Sequence, residues 1–148
     1  MKKSWVLIAI LCLGMVLSAC DGTPSTKELD EQHQSFLEKA EEIEQYSKTY
    51  YEPAQTQVDL NQQSGEVYRK WDALLNEVYQ YLKTTMDADA FATLEAEEAA
   101  WIQTKESAIE AAGAEWEGGS GEPLARNAAG IQYTRERCYY LISLVKGK

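Results

Sequence analysis

Histidine occurs once in this chain, at His33, and cysteine three times, at Cys12, Cys20 and Cys138. One imidazole and so few thiols supply no ligand set for a zinc or copper site, so no metal and no cofactor is expected. Ser120 likewise has no histidine base in its own segment, which removes the usual route to a serine nucleophile. Basic residues are scarce as well: 14 Lys and Arg stand against 24 Asp and Glu, a net charge of −10. That balance argues against nucleic acid, whose phosphates select basic surfaces, and against electrostatic adhesion to anionic lipid. Strand-like alternation of apolar and polar residues is missing, and no internal repeat is visible.

The apolar run Trp5–Leu17 has 13 residues, short of the roughly 20 that a spanning helix needs. Preceded by Lys2 and Lys3, it fits the apolar segment of an export signal. It ends in Leu17-Ser18-Ala19-Cys20, which resembles the lipobox of bacterial lipoproteins. Small residues at 18 and 19 let a peptidase reach the bond, and the Cys20 thiol would carry the lipid. Two or three acyl chains, palmitate among them, hold a protein on a membrane where one chain alone would not. The other reading is an uncleaved anchor helix with an incidental cysteine. The expectation is a signal over residues 1–19, a lipidated tether over 20–25, and an extracytoplasmic protein held on the bacterial cell membrane.

Processing would remove Lys2, Lys3 and Cys12, leaving 129 residues with 12 basic and 24 acidic side chains, a net charge of −12. With Cys20 lipidated, Cys138 has no partner for an intramolecular disulfide, although the compartment would permit one. Its place on an apolar stripe points to a buried structural thiol. A chain of this size carries one modest core.

Ser25 and Glu28 have the spacing of a capping box, and Leu29, Phe36, Ala40, Ile43 and Tyr50 recur in a helical rhythm. This stripe is thin, so residues 26–53 are expected to form a loosely packed helix, ended by Pro53. His33 falls on the helix seam or the surface. A second helix, from about Asp59 to Thr85, carries Val67, Tyr68, Trp71, Leu74, Leu75, Val78, Tyr79 and Leu82 on one face. Asp87-Ala-Asp89 supplies a turn and an N-cap for a third, whose inner face holds Phe91, Leu94, Glu98, Trp101, Ile102 and Lys105. Gly118, Gly119 and Gly121 break the pattern. Pro123 then opens a fourth helix through Ile131, Cys138 and Ile142, closed by Gly147. The fold class is all-α: a small antiparallel bundle of about four helices, with residues 57–146 as its main unit.

Several of these residues fall in an order and spacing that resemble the lysozyme inhibitor LprI-like N-terminal domain of bacterial envelope proteins. Leu60-Asn61 and Tyr68 resemble that family's opening, and Leu75-Asn76-x-x-Tyr79 its Leu-Asn-x-x-Tyr core. Glu98-x-x-Trp101-Ile102 is similar to its Gln-x-x-Trp-Ile, Gly118-Gly119-Ser120 to its Gly-Gly-Ser loop, and Thr134-Arg135-x-Arg137 to its closing Thr-x-x-Arg. Many relatives carry a cysteine pair whose places fall near Ile109 and Ala129 here, so packing replaces that cross-link. The resemblance implies a non-enzymatic protein that binds and inhibits lysozyme, with Asn61, Tyr68, Trp71, Asn76, Tyr79, Trp101, Thr134, Arg135 and Arg137 as structural positions.

No catalytic constellation is present: acidic runs such as Glu95, Glu97 and Glu98 resemble a pair of hydrolytic carboxylates only superficially, because helix faces are charged for solubility. Trp71 and Trp101 belong to the core by their spacing. Trp116, Glu117, Gly118, Gly119, Ser120 and Glu122 join an aromatic, acids and exposed backbone in one flexible loop, which reads either as a partner-binding surface or as a plain connector. Thr134, Arg135 and Arg137 either join that loop or tie it or a neighbouring helix down. The partner is then a basic lysozyme, drawn in by charge, or another envelope protein for which this chain is an adaptor.

Overall fold

The computed structural model describes residues 24–51 and 56–145. The export signal, the lipobox, Pro53 and Gly147 lie outside the described residues. The chain forms α1 (Thr26–Tyr51), α2 (Gln57–Thr85), α3 (Ala88–Ala114) and α4 (Glu122–Leu144), and no strand occurs among the described residues. No described helix is long and apolar enough to cross a membrane.

Each helix start has a local cause. Ser25 Oγ accepts from the Glu28 amide at 3.3 Å while the Glu28 carboxylate accepts from the Ser25 amide at 2.7 Å, the reciprocal pair of a capping box. Helix α2 starts two residues earlier than its apolar periodicity implies, because Thr56 and Asp59 form a second such box. Asp87 caps α3, accepting from the amides of Asp89 and Ala90 at 3.0 and 3.3 Å. Helix α4 has no side-chain cap; Pro123 sits in its first turn, where its missing N–H costs nothing.

Contacts between helices fix their directions. Phe36 meets Tyr81 edge-on at 5.6 Å and the Tyr46 hydroxyl donates to Glu66 at 3.0 Å, so α1 runs antiparallel to α2. Glu98 meets Arg137, and Gly113 lies under Arg126, so α3 runs antiparallel to α4. Asn127 donates to the carbonyl of Asn61, and Trp71 lies 5.7 Å from Tyr139, so α2 and α4 are parallel neighbours. Helix α4 packs on all three others. Helices α2 and α3, although consecutive, bring few Cα atoms within 8 Å of each other. Side chains still bridge them, Tyr79 with Phe91 at 5.3 Å and Lys105 with Tyr68 at 6.0 Å, so the two helices lie side by side with a shallow groove between.

The core is built from Val67, Trp71, Leu74, Val78 and Leu82 of α2 against Cys138, Leu141, Ile142 and Val145. Burial pushes the Cys138 thiol up to about 12, so it stays uncharged and inert, as its apolar stripe implies. The close approach of α2 and α4 depends on Gly130: a Cβ there would fall 2.8 Å from the Tyr68 ring. Glycine inside a helix costs about 0.5–1 kcal/mol relative to alanine, and here it seats an aromatic ring.

One reading of the apolar pattern, that of α3, needs correction. Trp71 is 1% exposed at the centre, but Trp101 is only partly covered and Ile102 is 41% exposed. The apolar stripe of α3 outruns the surface that covers it, and Ile102 is left at its edge. The stripe on α1 is short yet enclosed: Phe36 and Ala40 are fully buried and His33 nearly so.

Candidate functional site

Two surfaces combine exposed aromatic or aliphatic side chains with unmatched acids. The first is the connection from α3 to α4. Beyond Ala114 the chain makes consecutive turns, with the amides of Trp116, Gly119 and Glu122 donating to the carbonyls of Gly113, Trp116 and Gly119 at 3.0, 2.8 and 3.2 Å. Gly118 takes a φ of 73°, the left-handed region where a side chain would be strained. Glu122 accepts from the Gly118 amide at 3.1 Å and from Arg126 Nε at 2.9 Å. The Arg126 guanidinium first, and then the Gly118 amide, hold the Glu122 carboxyl below the usual carboxylate range. Asn61 Nδ2 of α2 donates to the Ser120 carbonyl at 2.9 Å.

The sequence pattern suggested a flexible loop; its hydrogen bonds make it a set shape. Glu122 is committed to closing that shape, which leaves Glu115 and Glu117 as the outward acids. Trp116 is 56% exposed, lying with one edge against Gly121 and beside a shallow cavity of about 220 Å³ that Gln57, Leu124 and Ala128 help to line. It therefore stands outside the core.

The second surface is a groove of about 390 Å³ between α2 and α3. Leu75 is its floor, Tyr79 and Trp101 are its walls, and Ile102 is exposed at its edge. Three acids line it. Glu98 is buried and paired with Arg137, whose Nε donates at 2.7 Å. Glu95 receives only a long contact from the Tyr79 hydroxyl at 3.5 Å, and Asp72 a bond from the Asn76 amide at 3.3 Å. Neither Asp72 nor Glu95 forms an ion pair among the described residues. Burial, then the adjacent Glu95 carboxylate, raises the Tyr79 phenol, so it remains a neutral donor. Lys105 stands 4.8 Å from the centre of the Trp101 ring, and the Arg137 guanidinium 4.4 Å from that of Tyr140.

The motif residues thus divide between two places. Asn61 tethers the 115–121 connection to α2, Tyr68 fills the space over Gly130, and Trp71 is core. Asn76, Tyr79 and Trp101 converge on the groove. Arg137 joins α4 to α3 through Glu98 and Glu97, and Arg135 reaches Glu44 of α1 at 3.7 Å; neither ties down the loop. Thr134 is wholly buried with no hydrogen-bond partner for its hydroxyl among the described residues. Sequence reasoning missed Asp72, Arg126 and Asn127. Asn127 donates to Ser64 and to the Asn61 carbonyl across α2 and α4. No three acidic, histidine or cysteine side chains among the described residues come together as a metal site.

Residues 47–141 match the model of a protein family described as Lysozyme inhibitor LprI. No curated protein and no solved structure gave a match.

Proposed function

The chain belongs to the lysozyme inhibitor LprI family, and from that premise we propose that it binds a basic lysozyme and blocks it without any chemistry of its own. The observation that carries the reading is the family match, which runs from the end of α1 through most of α4. The charge supports it. A mature chain of net charge −12 (12 basic against 24 acidic residues) attracts a cationic protein at long range and raises the rate of encounter. Inhibition is then steric: a rigid helical body seated over the carbohydrate cleft denies it to the cell wall. On this reading Trp116 and Glu117 belong to the contact surface, Trp116 as apolar anchor, with Gly118, Gly119, Ser120 and Glu122 setting the loop's shape. The protein works outside the cytoplasm, held to the cell membrane through lipid on Cys20.

The test is lysis of cell walls by a basic lysozyme, with and without the purified mature chain, at several salt concentrations. Inhibition that weakens as salt rises is the expected result. Full lytic activity at low salt with the chain in excess would leave the envelope adaptor as the surviving reading.

A further inference from the structure

We propose that the groove between α2 and α3 receives one cationic side chain, an arginine or lysine presented by a basic protein partner. The inference rests on the lysozyme-binding reading and gives it a place on the molecule. The groove joins three properties that such a side chain needs. Asp72 and Glu95 form no ion pair among the described residues, and with Lys105 as the one other charged group on the lining outside the Glu98–Arg137 pair the groove keeps an acidic excess. Glu98, the third acid, is already matched by Arg137 and holds the wall in place. Tyr79 and Ile102 supply apolar surface for the methylene stem of a long basic side chain, which buries its stem while its head stays with polar groups.

The third property is a cation seat already in use. Lys105 of this chain stands over the Trp101 ring at 4.8 Å and 6.0 Å from the Tyr68 ring. The face of Trp101 is therefore turned toward positive charge, and the groove's own geometry satisfies the distance at which such attraction acts. With Lys105 at 4.8 Å and Arg137 at 6.0 Å already over that ring, an incoming guanidinium is left the carboxylates of Asp72 and Glu95 and the apolar surface beside them. A divalent cation does not fit: no three potential ligands among the described residues gather within reach of one ion. The acidic outer face of α1, with Glu38, Glu41 and Glu42 beside Leu37, offers as much charge but no aromatic wall.

A groove of about 390 Å³ is at the small end of ligand sites and suits a single protruding side chain. Its rim residues, Ile102 and the two acids, can then meet the surrounding partner surface. Charge at such a rim governs association and salt dependence, while the enclosed cation governs residence.

The test compares three variants of the mature chain by their affinity for a basic lysozyme across salt. Asp72→Asn with Glu95→Gln removes the groove's two unpaired carboxylates and keeps its shape. Glu41→Gln with Glu42→Gln removes the same charge from α1, and Trp116→Ala removes the loop anchor. The groove variant should bind about tenfold or more weakly with a shallower salt dependence, and the α1 variant within about twofold of the parent. Equal losses in the groove and α1 variants would overturn the proposal, because net charge alone would then explain binding. So would unchanged binding in the groove variant while Trp116→Ala loses it, an outcome that leaves the lysozyme reading intact. If the parent binds no lysozyme, that reading fails, and the groove is judged with N-acetyl-arginine amide followed by amide and indole NMR shifts. Shifts at Leu75, Tyr79 and Trp101 that vanish in the groove variant sustain a cation site. No shifts there, or shifts produced only by a chitin oligosaccharide, overturn it.

Discussion

Trp71 and Trp101 lie on equivalent apolar stripes of neighbouring helices, yet the structure sets different costs for losing them. Trp71 is 1% exposed, between Val67 and Leu74 on its own helix and Tyr139 of α4. Truncation to alanine would leave a cavity that rigid helices cannot collapse around, at about 3–5 kcal/mol. Against a total stability on the order of 5–15 kcal/mol, this lowers Tm by about 10–20 °C and brings the chain near unfolding at 37 °C. Trp101 is only partly covered, and one face already looks into the groove beneath Lys105. Its truncation forfeits part of its apolar area and a cation contact, about 1–2 kcal/mol together. Urea denaturation followed by far-ultraviolet circular dichroism measures both without relying on the fluorescence of the residue removed. The m value should stay constant, which would show that the denatured state has not changed. Equal losses for the two variants would refute the reasoning, for Trp101 would then be a core residue and the groove a feature without depth.

Phe36→Ala tests how firmly α1 is held: full burial against Tyr81 predicts a loss of about 3 kcal/mol, whereas a loss below about 1 kcal/mol would mean that α1 rests loosely on residues 57–146. Arg137→Ala strands Glu98, whose side chain is 9% exposed, and should cost about 3 kcal/mol, with much of it recovered by adding Glu98→Gln; a double-mutant cycle with no coupling would rule the pair out as a tie between α3 and α4. Because Glu122 has its folded pKa lowered from 4.5, its contribution to the loop is complete above that value and is lost as pH falls through the lower folded one. The Gly118 amide resonance should accordingly titrate with a midpoint below 4.5, and Glu122→Gln should abolish that titration; a midpoint at or above 4.5 would contradict the contact. Cys20→Ala should leave an unprocessed or released protein without label from radioactive fatty acid, and normal labelling of that variant would exclude the lipobox reading.

Helix identity was legible because each segment carries its own cause: a capping residue, a 3.6-residue apolar rhythm and a glycine or proline break. The start of α2 was misplaced by two residues because Thr56 lies among polar neighbours, where no apolar periodicity marks it, although its spacing from Asp59 is that of a capping box. Which faces meet which was less legible. The stripe of α3 reads as uniformly inward, but periodicity reports only that a face is apolar: Phe91, Leu94, Glu98 and Gly113 are buried, while Trp101 is partly covered and Ile102 exposed. The groove was hidden for the same reason: Asp72 and Glu95 are ordinary helix acids until two separate helices are set side by side. The motif residues Asn76, Tyr79 and Trp101 were the available pointer, since their shared destination is a surface.

The antiparallel run of α1 on α2 also gives the molecule an up and a down. The amino-terminal half of α1 lies beside the carboxy-terminal half of α2, where Phe36 touches Tyr81, while Asn61 near the start of α2 holds the connection at Ser120. At about 1.5 Å per residue, the 29 residues of α2 separate these ends by on the order of 40 Å. Whatever holds the chain from before Thr26 therefore holds it by the end away from Trp116. A lipid on Cys20 would leave only five residues between the lipidated position and α1, so the bundle would stand close to the bilayer as a short post. Its 115–121 connection would be outermost, facing an approaching protein, with the α2–α3 groove opening on its flank.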